Sequence, residues 1–240
     1  MNTIKQRMQS EGPFTLLYNP LFRVIVTWLW WFVGAALTLL VILATQGISF
    51  TSASQVLENK QYLAVYIEIV SVGLLPIVFT FLCRDDLTQY GLTHNKLAKS
   101  VFFSLLFVVA MFGLAYFTRG QLMTDERATL DVAFPWNVWY AILGILAWGP
   151  LEVFFVVWLI TNTDRVFKSA NRLISWGLII TLIGFGGLHI LTTDVYNALY
   201  TGAIFLVLML IYKHTRNVVG PMLAWTLING QVWYIARLLS

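Results

Sequence analysis

Long apolar stretches, nearly free of charge and separated by short polar segments, constrain this chain more than any other feature. A bilayer core about 30 Å thick takes roughly 20 helical residues to cross, and in hydrocarbon every backbone N–H and C=O must find its partner inside the segment. Seven stretches meet that length, approximately Val24 to Gln46, Tyr62 to Cys83, Ser100 to Phe117, Pro135 to Asn162, Leu173 to Ile190, Val195 to Tyr212 and Val218 to Leu239. The expected fold is therefore all-α, a multi-pass transmembrane helix bundle. With 59% hydrophobic and 11% charged residues and a mean hydropathy of +0.77, the chain lies far from a soluble globular domain.

Residues 1–240 read as one membrane-embedded domain, since no polar or Pro/Gly/Ser-rich block is long enough to form a soluble module. The apolar run Val24 to Ala44 is longer than the h-region of a signal peptide and lacks a small-residue cleavage site, so it is expected to stay as the first span. A single cysteine, Cys83, excludes an intramolecular disulfide and reads as a filler at the end of a span.

Eleven basic residues fall on one side of these spans: Lys5, Arg7, Arg23, Arg84, Lys96, Lys99, Arg165, Lys168, Arg172, Lys213 and Arg216. Four fall on the other, Lys60, Arg119, Arg127 and Arg237. By the positive-inside bias the N-terminus is cytoplasmic and the C-terminus outside. The net charge of +4 thus speaks of topology, and no basic stripe with interleaved aromatics points to nucleic acid. Trp28, Trp30, Trp31, Trp136, Trp139 and Trp176 sit near span ends and read as interfacial belt residues.

Ionisable groups within spans carry the most information, because each costs roughly 2.5 to 3.5 kcal/mol to insert and normally faces protein or water. Glu68, Glu152 and His189 are of this kind, and Asn229 adds an amide that needs partners in a dry setting. Glu152 stands in a run with no other charge from Val132 to Thr163. Measured along each helix from the basic border, Glu152, Asn229, Glu68 and His189 lie at about 18, 20, 24 and 25 Å. One polar cluster inside the bundle is expected from that shared depth.

Three stretches then show a family pattern. Glu152, followed by Phe185-Gly-Gly-Leu-His189 and by TRNVVGPMLAWTLING (Thr215 to Gly230), resembles the CAAX protease and bacteriocin-processing family of intramembrane proteases, also called Abi. DDLTQYGLTHNKLAKS (Asp85 to Ser100) extends the resemblance to about residues 85–240. The family carries Glu-Glu-x-x-x-Arg, Phe-x-x-x-His and His-x-x-x-Asn. Here Phe185 and His189 are intact, Asn229 is kept, and Trp225 stands where the family has histidine. Aligned on Phe155, Leu151 and Glu152 pair with the two glutamates and Val156 with the arginine; shifted by one, Glu152 is the first glutamate and Val153 the second.

The resemblance implies an integral membrane endopeptidase, most naturally of a prokaryotic cell membrane, that hydrolyses a membrane-bound peptide or protein. It implies catalytic roles for Glu152, His189 and Asn229, the glutamate as general base on water and the other two as donors to the oxyanion. No cofactor is implied, and a metal is disfavoured because a zinc site takes three or four protein ligands where this level offers one histidine. Structural readings stand beside each role: a protonated carboxyl bonded across helices for Glu152, packing hydrogen bonds for His189 and Asn229, and packing or a bond to the cluster for Glu68. Two alternatives to the protease are an inactive pseudoprotease that scaffolds a membrane partner and a proton-coupled transporter component using Glu68 and Glu152. His94 and His214 read as solvated, and Asp194 as a cap. Gly149-Pro150 is expected to open the helix locally, and Gly184, Gly186 and Gly187 to allow close helix approach.

Overall fold

A computed structural model describes residues 15–52, 60–120, 132–192 and 194–229. Among these residues every regular element is helical. Five apolar stretches are long enough to cross a membrane, Pro20–Gln46, Ala64–Leu82, Leu97–Thr118, Trp136–Phe167 and Val195–Thr215, and two are shorter, Trp176–Ile190 and Val219–Ile228. Lys5, Arg7, Arg127, Arg237 and the end of the last expected span at Leu239 lie outside the described residues.

The elements in chain order are α1 (Pro20–Gln46), α2 (Ala64–Glu68), α3 (Leu75–Leu82), α4 (Leu97–Arg119), α5 (Trp136–Leu146), α6 (Glu152–Phe167), α7 (Trp176–Thr192), α8 (Val195–Thr215) and α9 (Val219–Ile228). Two of the spans are broken by π-helical turns: Ile69–Leu74 joins α2 to α3, and Ala147–Leu151 joins α5 to α6. Local chemistry sets the ends. The Asn19 side chain accepts the amide protons of Leu21 and Phe22 ahead of Pro20, and Gly47 closes α1 at φ 64. Asp194 caps α8 by accepting from the Asn197 amide, as its position suggested.

α6 is apolar on every side from Val153 to Ile160, and a helix with no polar face belongs at the centre. All eight of those residues are buried. Around α6 pack α1, α7 and α9, the first π turn and the short turn Leu87–Tyr90. Large apolar side chains along α1 and α4, among them Leu29, Phe32, Val41, Phe102 and Val109, face outward as a lipid-facing surface would require.

The tryptophans of α1 depart from the expected belt. Trp28 sets its ring edge-on to Phe155 at 5.9 Å, and the Trp30 indole donates to the Val70 carbonyl at 2.8 Å. They lie two to three turns inside α1, where bundle neighbours recruit them; Trp136, Trp139 and Trp176 are exposed at helix ends. Gly184 makes room for Trp28, since a Cβ there would stand 2.9 Å from its ring.

One end of the bundle gathers the basic residues and ties its loops together. Arg23, buried in α1, donates to Asp85 at 2.8 Å, and Tyr90 donates to the same carboxylate at 2.6 Å. Burial and the adjoining Asp85 hold the Tyr90 phenol above its ordinary range. Asp164, near the C-terminal end of α6, is buried and accepts from Lys213 Nζ (2.7 Å), Ser169 (2.7 Å), Ser175 (2.9 Å) and the Gly177 amide (2.8 Å). This ion pair locks the α6–α7 loop against α8.

Breaking a buried pair leaves an uncompensated charge at a cost of about 3–5 kcal/mol. Asp164→Ala is expected to lose about that much in thermal unfolding in detergent micelles, and Lys213→Met less, because Asp164 keeps its three other donors. A larger loss for Lys213→Met would contradict this assignment.

Candidate active site

Glu152 opens α6 directly after the second π turn, with its side chain buried. The carboxyl has a partner on each oxygen. Oε2 accepts the Trp225 indole N–H from α9 at 2.6 Å, and Oε1 faces His189 Nε2 of α7 at 3.8 Å. The first is a short, charge-assisted hydrogen bond if the carboxyl is ionised. The second exceeds hydrogen-bond length, though ligand-free catalytic pairs are often long and tighten when substrate arrives.

The orientation of His189 follows from the spacing of its motif. Residues four apart share a helix face, so the Phe185 ring and carbonyl both meet the imidazole. The rings lie 4.6 Å apart, and His189 Nδ1 is 2.9 Å from the Phe185 oxygen. A carbonyl can only accept, so Nδ1 carries hydrogen. That arrangement leaves Nε2 as the ring nitrogen facing Glu152. Phe205 completes the wall, 4.6 Å from Phe185 and 4.7 Å from Trp225.

Asn229 lies one turn beyond Trp225. Its Nδ2 donates to the Trp148 carbonyl at 3.1 Å, inside the π turn that ends at Glu152. A π turn containing Pro150, which has no N–H, frees carbonyls that a membrane interior cannot hydrate. Asn229 donates to a carbonyl of that turn. Trp30 does the same for Val70 in the first π turn. The two π turns pack on each other, and a Cβ on Gly73 would come within 2.9 Å of Leu151.

Glu68 is the last residue of α2, immediately before the first π turn, and is half-buried. Its carboxyl is near enough to Glu152 to interact with it electrostatically. Glu68 and Glu152 thus flank two contacting π turns, one entering and one leaving. Beside the second turn, an apolar cavity of about 420 Å³ is lined by Thr80, Phe81, Pro150, Leu151, Phe154 and Met222, with Arg84 and Asp85 also on its wall.

Of the residues expected to cluster, the structure brings Glu152 and His189 within 3.8 Å of each other. Asn229 joins the same region through the backbone of the Glu152 span. Trp225 as a donor to Glu152 escaped the sequence reading; its signal was the indole N–H at the position where the family has histidine, since both side chains can donate there.

Fold and site together define an integral membrane protein of the helical-bundle type with a carboxyl–imidazole pair in its core. Residues 133–231 match the model of a family described as type II CAAX prenyl endopeptidase Rce1-like. That match supports the CAAX protease resemblance read from the motifs over this segment of the chain. No curated protein and no solved structure matches the chain.

Trp30→Phe and Asn229→Leu each remove a donor to a π-turn carbonyl. Each is expected to lower unfolding stability in micelles by about 1–3 kcal/mol. Unchanged stability in both variants would show that the π turns do not need these side chains.

Proposed function

We propose that this protein hydrolyses peptide bonds of a membrane-bound peptide or protein, with Glu152 as general base and His189 and Asn229 as the supporting polar groups. The observation that carries the reading is the 3.8 Å approach of Glu152 Oε1 to His189 Nε2, made by residues on different helices within the family-matched segment.

In the reactive state the Glu152–His189 pair carries one ionising proton. With that proton on His189, Glu152 is a carboxylate and takes a proton from water as the oxygen attacks the peptide carbonyl. The imidazolium and neighbouring donors stabilise the oxyanion. Collapse of the tetrahedral intermediate breaks the C–N bond, and the Glu152 proton passes to the leaving amine. The apolar cavity beside Pro150 and Leu151 suits an apolar side chain or lipid-like part of the substrate.

A second reading has its own observation. Trp225 occupies one oxygen of Glu152 with a 2.6 Å bond, where the family places histidine, which is the arrangement of a carboxyl fixed for architecture. On that reading the protein is a pseudoprotease that binds a membrane partner.

Cleavage of a quenched-fluorescent CAAX-type prenyl peptide by the protein reconstituted in liposomes separates the two. Glu152→Gln is expected to lower the rate by about 100- to 10,000-fold. His189→Ala is expected to lower it by about 100- to 1,000-fold, with both variants retaining the wild-type expression level. Cleavage that survives both substitutions would remove the proposed chemistry, and a wild-type protein that cuts nothing would favour the pseudoprotease.

A further inference from the structure

At the basic end of the bundle, away from Glu152, a polar cavity of about 200 Å³ lies between α6 and α8. Its wall includes Arg165 from α6, Lys213 and Tyr212 from α8, and Arg216, which closes α8 at φ 56. Three cations face one carboxylate, Asp164, leaving an excess of two positive charges. Asp164 is already committed to Lys213 at 2.7 Å, so the excess resides on the two arginines.

Neither arginine has a carboxylate partner among the described residues. Arg165 donates to the side-chain oxygens of Asn162 and Gln89, and Arg216 to the Ala170 carbonyl. These bonds use few of the five N–H donors of each guanidinium, and they hold both side chains in place at low further cost in entropy. Tyr212 lies within electrostatic reach of both guanidinium groups, and its hydroxyl is 3.4 Å from that of Thr161.

An independent observation points the same way. Gln89, on the cavity wall, spends its side-chain oxygen on Arg165, while its buried Nε2 has no hydrogen-bond partner among the described residues. A buried donor without an acceptor costs about 1–3 kcal/mol, and an anionic oxygen would satisfy it.

We infer that the cavity formed by Gln89, Arg165, Tyr212, Lys213 and Arg216 is a binding site for a phosphate group at the membrane surface. At about 200 Å³ it is smaller than the roughly 300–1,000 Å³ of sites for drug-sized ligands, which suits a single phosphate. Paired guanidinium groups match phosphate geometry, and basic pockets between membrane helices at the headgroup level take anionic lipids. The phosphate can come from an anionic lipid headgroup or from free phosphate. The site is separate from the Glu152 centre, so its test does not depend on whether the protein cleaves peptides.

The experiment uses the full chain in phosphatidylcholine nanodiscs, titrated with dihexanoyl phosphatidic acid, inorganic phosphate or, as control, dihexanoyl phosphatidylcholine. Binding is read from intrinsic fluorescence and from the shift in unfolding temperature. Wild type is expected to bind phosphatidic acid or phosphate saturably and to ignore the control lipid. Equal affinity for both phosphate probes identifies bare phosphate as the ligand; preference for phosphatidic acid identifies the lipid headgroup. Arg165→Gln/Arg216→Gln should weaken binding by about tenfold or more, as expected for lost charge-assisted hydrogen bonds. Arg216→Gln alone, which leaves the Arg165 contacts to α6 and Gln89 untouched, should also weaken it. Lys168→Gln/Arg172→Gln removes the same charge outside the cavity and should leave binding unchanged. No saturable binding of either phosphate probe, or an equal loss in the Lys168/Arg172 variant, would overturn the site.

Discussion

A carboxyl group in the middle of a lipid-embedded bundle must be met by other helices, and the placement of Glu152 organises much of what surrounds it. Insertion of an acid costs a few kcal/mol that only partners can offset. α9 brings an indole N–H to one oxygen and α7 an imidazole to the other, so the packing of both helices around α6 is tied to one side chain. Apolar contact alone would leave such helices free to rotate, because lipid tails solvate Leu and Phe as well as a neighbouring helix does.

The π turns belong to the same account. A continuous α-helix from Trp136 to Phe167 would keep its carbonyls for itself and present a single rotational phase throughout. The turn at Ala147–Leu151 changes that phase just before Glu152, and its Trp148 carbonyl accepts from Asn229. The matching turn at Ile69–Leu74 packs against it and takes Trp30 at Val70. Each irregularity is thus sealed by a polar side chain from elsewhere in the chain, as hydrocarbon demands of any exposed backbone group.

Period and depth made part of this legible from residues alone. Apolar length revealed the spans, and counting along helices placed Glu152 and His189 at levels within a turn or two of each other. The Phe185–His189 spacing already contained the ring contact and the carbonyl bond. Other features depend on neighbours that spacing does not name. Trp28 and Trp30 have the composition of a headgroup belt and became interior residues because Phe155 and Val70 lie opposite. Nothing in the spacing marks Asp164 as buried, because its enclosure comes only when the α6–α7 loop folds back with Ser169, Ser175 and Gly177 around it. Pro150 marked a break in a helix without saying that the break would be a π turn.

A double-mutant cycle shows directly whether Glu152 and Trp225 form one energetic unit across α6 and α9. Unfolding stabilities in micelles of Glu152→Leu, Trp225→Phe and the combined variant would give the coupling energy, since neither replacement can take part in the bond. A hydrogen-bonded pair should show about 1–3 kcal/mol of non-additivity, whereas losses that add to within about 0.5 kcal/mol would mean that the indole and the carboxyl do not hold each other.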